Sequence, residues 1–98
     1  MAVMEISVVP LGQGPSISSH VADCVRILIK EKVSYELTAM GTNIQGNLKD
    51  IIKLALRMHQ VPFKKGALNV VTTINIDDRR DKEVTISGRK RAVQTKLQ

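Results

Sequence analysis

The sequence predicts an α+β fold, a four-stranded antiparallel sheet with helices on one face. Three observations carry that reading. Three segments alternate apolar and polar residues with period two. Two others repeat apolar residues at a period near 3.6, and the two kinds interleave along the chain. At 98 residues and 43% hydrophobic, the chain is read as one domain over residues 1–98 with an ordinary core.

The first strand is expected over residues 3–9, where Met4, Ile6 and Val8 face one way and Val3, Glu5 and Ser7 the other. Pro10 is expected to end it, because proline cannot donate to a ladder. After the Gly12–Pro15 turn, Ser16 reads as the N-cap of a helix whose stripe is Ile17, Val21, Cys24/Val25 and Leu28. A second strand runs from Val33 to Met40, with Tyr35, Leu37 and Ala39 opposed to Ser34, Glu36 and Thr38. Gly41-Thr42 is a tight connection, and Thr42–Gln45 a short third strand. Asn47 opens the second helix, with Asp50 three residues on and a stripe of Leu48, Ile51, Ile52, Ala55, Met58 and His59. Pro62 is expected to kink or loosen its last turn before Lys64-Lys65-Gly66 ends it. Leu68–Asp77 is the longest alternating strand, with Leu68, Val70, Thr72, Ile74 and Ile76 on one face. Ser87 is placed to cap a last helix over 88–97, with Ala92, Val93 and Leu97 as its apolar contacts.

The order β-α-β-β-α-β-α describes a ferredoxin-like βαββαβ antiparallel sandwich with an extra C-terminal helix. Two helices cover one face and leave the other open. That open face is expected to carry Glu5, Ser7, Glu36, Thr38, Asn69, Thr73, Asn75 and Asp77 among Val3, Val9 and Val71. A face of hydrogen-bonding residues, rather than of Lys and Glu alone, points to a partner chain, a ligand or both.

Composition excludes several classes. No apolar run approaches the ~20 residues a membrane helix needs. The N-terminal stretch has no basic leader and contains Glu5 and Pro10, against a signal peptide. The single Cys24 cannot form an internal disulfide and fits a reducing cytoplasm. Tyr35 and Phe63 are the only aromatics besides histidine, too few for stacked rings. The net charge of +6 is concentrated in residues 79–98, which hold seven of the fifteen Lys and Arg. Arg89-Lys90-Arg91 therefore reads as the solvated face of a terminal helix. RNA contact is the weaker reading, since no aromatic platform accompanies it.

Gly12-x-Gly14-Pro15-Ser16-Ile17 follows a strand and opens a helix, but Ile17 stands where a dinucleotide loop wants a small residue. A plain turn fits better, with a weak hydroxyl site at Ser16, Ser18 and Ser19 as the alternative. His20 and Cys24 lie four apart with no second ligand pair, so neither a metal site nor a cysteine nucleophile is expected. No catalytic residue and no cofactor is assigned. Glu36 is placed to accept from a ligand amine, or else sits at a subunit contact. Asp77-Asp78-Arg79-Arg80-Asp81-Lys82 is either a solvated turn with local ion pairs or a salt-bridge knot between subunits.

Four blocks, in order, resemble the YkoF-like thiamine-binding protein family. They are Val9-Pro10-Leu11-Gly12, Ser16-x-Ser18-Ser19, Tyr35-Glu36-Leu37-Thr38-x-Met40-Gly41-Thr42 and Thr72-Thr73-Ile74-x-Ile76-Asp77-Asp78-Arg79-Arg80-Asp81-Lys82. The resemblance implies a cytoplasmic, non-catalytic protein that assembles through its sheets as a dimer of dimers, a homotetramer, and binds thiamine or its hydroxymethylpyrimidine part. Ser7, Ser18, His20, Glu36, Thr38 and Thr42 are the expected ligand residues, with Ser18 or His20 at the rim and Met40 as apolar wall. Thr73, Asn75, Asp77, Arg79 and Arg80 are the expected oligomer contacts. The alternatives are a structural or regulatory oligomer without a retained ligand, and a small RNA-associated protein using its basic tail.

Overall fold

Ala2, Met4, Ile6 and Val8 recur at every second position, and they take one face of the first strand, β1 (Ala2–Leu11), out of water. The structure, a computed structural model, describes residues 1–14 and 17–98. After β1 come α1 (Ser18–Lys30), β2 (Ser34–Leu37), β3 (Thr42–Gly46), α2 (Leu48–Lys64), β4 (Asn69–Asp78) and α3 (Ile86–Lys96). The sheet order is β2-β3-β1-β4 with every neighbouring pair antiparallel, the ferredoxin-like arrangement with a C-terminal helix added.

β1 pairs with β4 from Ala2↔Asp78 to Leu11↔Asn69, but with β3 only from Ala2↔Gly46 to Ile6↔Thr42. Past Ile6 it has one neighbour. That corrects the expectation that Pro10 ends the strand. Pro10 pairs with Val70 where β1 is itself an edge, the setting in which a missing N–H is tolerated. β2 is shorter than its alternation predicted and stops at Leu37, because Thr38 to Gly41 form the turn of the β2–β3 hairpin.

α1 and α2 cover the Met4/Ile6 face of the sheet. His20, Cys24 and Leu28 of α1 pack there with Ile51, Leu54, Ala55, Met58 and Val61 of α2. Two residues predicted for the α2 stripe lie elsewhere. Ile52 is exposed, and His59 is half-buried with its Nδ1 2.6 Å from the Thr72 hydroxyl. Apolar residues occupy more of the helix circumference than the sheet can cover, so period alone does not select the inward ones.

Asn47 caps α2 as expected, its Oδ1 accepting from the Lys49 N–H at 3.0 Å. The N-cap position of α1 falls on Ile17, and Ser16 lies outside the described residues. Helix α2 continues through Pro62 to Lys64. Proline removes the N–H that would bond the Met58 carbonyl one turn back. The buried Cys24 thiol donates to that carbonyl at 3.5 Å, so the gap in α2 becomes a contact with α1. Burial pushes this thiol up to about 11, which keeps it a protonated donor rather than a nucleophile. Asp23–Lys65 and Glu31–Arg57 ion pairs flank the same seam.

α3 departs from expectation. Thr85, not Ser87, caps it, accepting from the Gly88 N–H at 3.0 Å, and the helix begins at Ile86. It buries no residue: Val93 is 60% and Leu97 80% exposed, so Ala92, Val93 and Leu97 are not the contacts the sequence predicted. It lies instead against the polar face of the sheet. That face is open only in part.

Leu28→Ala, at a position with no exposure, is expected to lower stability by about 2–5 kcal/mol. Val93→Ala, on a helix outside the core, should stay within about 0.5 kcal/mol of wild type. Urea denaturation of both variants checks the contrast.

Candidate functional site

The alternation of β3 sends Thr42 and Ile44 toward the helices and Asn43 and Gln45 to the other face. The register Leu37↔Thr42 and Glu36↔Asn43 extends the division to β2. Polar residues expected together are thereby separated by the thickness of the sheet.

On the helix side, a cavity of about 730 Å³ opens between α1, the β2–β3 turn and the part of β1 that β3 no longer covers. Its apolar wall includes Val21 and Val25 of α1, Leu37 of β2 and Met40 of the turn. Ser18, Thr38 and Thr42 bring polar groups to the same cavity; Ser7 borders it, but the alternation of β1 sends its side chain to the opposite face with Val3 and Glu5. No charged side chain lines it among the described residues. Met40 is 84% exposed at its mouth, a flexible thioether beside an apolar space.

The turn that closes this cavity is built by Thr38. Its N–H donates to the Gly41 carbonyl at 2.9 Å. Its hydroxyl donates to the same carbonyl at 2.8 Å and accepts from the Gly41 N–H at 3.2 Å. Thr38 is therefore committed to holding the turn, not displayed on the sheet face as its alternation predicted. Gly41 lets the turn settle on β1, since a Cβ there would stand 2.9 Å from the Ile6 carbonyl oxygen.

On the opposite face, the pairings Glu36↔Asn43, Asn43↔Glu5 and Glu5↔Asn75 make one polar row across all four strands. Asn43 donates to Glu36 at 3.4 Å and Asn75 to Glu5 at 3.3 Å. Lys90 of α3 donates to Glu36 at 2.6 Å, and that ammonium holds the carboxyl below the usual carboxylate range. Glu36 thus lies away from the cavity, already supplied with two donors.

Three of the six predicted ligand residues, Ser18, Thr38 and Thr42, come together at the cavity; Ser7 borders it with its side chain on the other face, and Glu36 lies away from it. His20 is not at a rim. It lies 6% exposed in the inward stripe of α1, where its Nδ1 has no hydrogen-bond partner among the described residues. Sequence reasoning missed Val21 and Val25 as cavity walls. Their signal was present: α1 carries more apolar residues than Cys24 and Leu28 need for packing. In the 77–82 corner, Arg79 pairs with Asp81 and Arg80 with Asp78, both within the chain. Thr73 and Asn75 are exposed on β4, and Asp77 pairs with Arg89 of α3.

Comparison with known proteins gives a consistent set. Residues 4–94 match a family model described as thiamine-binding protein. The chain is 40% identical to the UPF0045 protein YqgV of Bacillus subtilis over 103 residues, covering 100% of this chain and 99% of that one. The crystal structure of a hypothetical protein from Methanocaldococcus jannaschii superposes with a TM-score of 0.86 at 34% identity, covering 95% of each chain. A candidate thiamine biosynthesis/salvage protein of Thermotoga maritima shares the fold with a TM-score of 0.79 at 16% identity, over 94% of this chain and 97% of that one.

Gly41→Ala should push the turn off β1 and cost about 1–3 kcal/mol, since the opposing atom is backbone and yields little. A lowered urea midpoint with unchanged far-ultraviolet circular dichroism would show this local loss.

Proposed function

Because the chain belongs to the thiamine-binding protein family, we propose that it is a non-enzymatic binding protein that holds the pyrimidine half of thiamine, or free hydroxymethylpyrimidine, in the cavity between α1 and the β2–β3 turn. The observation that carries this reading is the lining itself: apolar walls with hydroxyls at Ser18 and Thr42 and no charged side chain among the described residues. An aminopyrimidine is neutral, flat and rich in donors and acceptors, and suits such a lining. The cationic thiazolium finds no counter-charge there and belongs at the open mouth by Met40. Thr38 acts by holding the turn, and Glu36 acts in the polar row of the other face. A single buried cysteine fits a protein that works in the reducing cytoplasm.

Self-association belongs to the same reading. β4 is an edge strand of ten residues with Ile74 40% exposed, and such an edge is a template for pairing. A second copy along β4, with Thr73, Asn75, Asp77, Arg79 and Arg80 near the contact, would cover it. Light scattering at micromolar concentration should give a dimer or tetramer; a monomer throughout would remove this part.

Titration calorimetry with thiamine and with hydroxymethylpyrimidine tests the site. Thr42→Val and Ser18→Ala should each weaken binding by about 2- to 10-fold, the value of one neutral hydrogen bond. Glu36→Gln should leave affinity unchanged. Loss of binding in Glu36→Gln alone would move the ligand to the open face, and no binding by wild type would leave a structural oligomer.

A further inference from the structure

We propose that α3 is an electrostatic latch: a short helix held by charge across one end of the polar sheet face, which salt releases while the rest of the fold stays intact. The inference stands independently of which ligand the helix-side cavity takes.

Helix α3 has eleven residues, none of them buried. Helices of that length are marginal in water unless tertiary packing supports them. Here packing supplies little. Beyond the half-buried Ile86 at its first position, the contacts between α3 and the sheet are polar: the Ile86 N–H donates to Gln45 Oε1 at 2.7 Å, Arg89 pairs with Asp77, and Lys90 pairs with Glu36. Gln45 and Asp77 both stand opposite Val3 of β1, and Glu36 is in the next row. The helix therefore lies over the Gln45–Val3–Asp77 end of the face. It carries Arg89, Lys90, Arg91 and Lys96 and no acidic residue, whereas the sheet beneath presents Glu5, Glu36 and Asp77.

What lies under the helix is not a core. It is a cavity of about 370 Å³, floored by Val3, Glu5, Asn43 and Asn75, bordered by Ile76 and Ile86, and roofed by Arg89 and Lys90. The chain is anchored just before the helix by Val84, only 4% exposed, and by the Thr85 cap. Release of α3 thus has a natural boundary at Val84 and leaves the packed helices and the four strands untouched.

Exposed ion pairs weaken as the screening length shrinks, from about 8 Å at physiological salt to about 3 Å at 1 M. An apolar helix on an apolar sheet would not respond in that direction. Docked, α3 occupies two carboxylates and closes the end of the face. Released, it frees Glu36 and Asp77 beside Glu5 and uncovers the Val3 row. The state of α3 sets how much of this face another molecule can reach.

The test places a reporter thiol at Val3→Cys, on the cavity floor, and a control at Thr73→Cys, exposed on the uncovered part of the same face. The native Cys24 is buried and serves as the slow background. Labelling rates with a bulky maleimide are measured at about 0.05 M and about 1 M sodium chloride. The Val3→Cys thiol should label about tenfold faster at high salt, the combined effect expected of two exposed ion pairs. Adding Arg89→Ala and Lys90→Ala should make it fast already at low salt and abolish its salt response. Thr73→Cys should be indifferent to both. A Val3→Cys rate unmoved by salt and by the double variant overturns the latch, and so does one equal to Thr73→Cys at low salt. Amide hydrogen exchange on the unsubstituted chain gives a second reading. Protection over residues 86–96 should fall about tenfold in high salt while β1 and β4 keep theirs; retained protection of α3 refutes the proposal.

Discussion

Everything in this molecule depends on β1 having two neighbours only as far as Ile6. From Ala2 to Ile6 it is a central strand, and its alternation divides the protein: Ala2, Met4 and Ile6 under the helices, Val3 and Glu5 on the other side. Beyond Ile6, β3 gives way to the Thr38–Gly41 turn, and the space left beside β1 is the cavity under α1. Had β3 run as far as β4 does, a strand would fill that space. The candidate site is thus a consequence of unequal strand length, and Gly41 and Thr38 are what hold the short hairpin in place.

The two faces are held by different physics. On the helix side, apolar burial does the work, and even the irregularity at Pro62 is absorbed when Cys24 supplies the donor that proline lacks. On the other side, α3 meets the sheet through amide and charge contacts that leave both partners largely wetted. Changes in α3 should therefore cost the core of this chain little, because the helix buries no residue.

Legibility in the sequence followed the strength of the local pattern. The middles of β1 and β4 were readable because sustained period-two alternation leaves little second interpretation, but their ends were not: β1 runs on through Pro10 to Leu11, and β4 begins at Asn69 with Leu68 95% exposed. Asn47 as the cap of α2 was readable because an Asn before an apolar run has a local reason to be there. The end of β2 was not, since Thr38, Ala39 and Met40 continue the alternation and only the hydrogen bonds of the Thr38 side chain to Gly41 show that the chain has turned. For α3, the sequence supplied Ala92, Val93 and Leu97 as plausible contacts, and nothing local says that the sheet in front of them is polar.

By itself the sequence determined the order of elements, the inward face of β1 and the family to which the chain belongs, because each rests on residues close together in the chain or on motifs preserved as strings. Tertiary structure alone decided that Thr42 faces the helices while Glu36, which the same hairpin carries, faces away. It also decided that His20 is buried and that α3 crosses the polar face. These are questions of register and of which surface an element meets. A shift of one residue in register reverses a side chain's face, so relations between distant segments, not local composition, settle them.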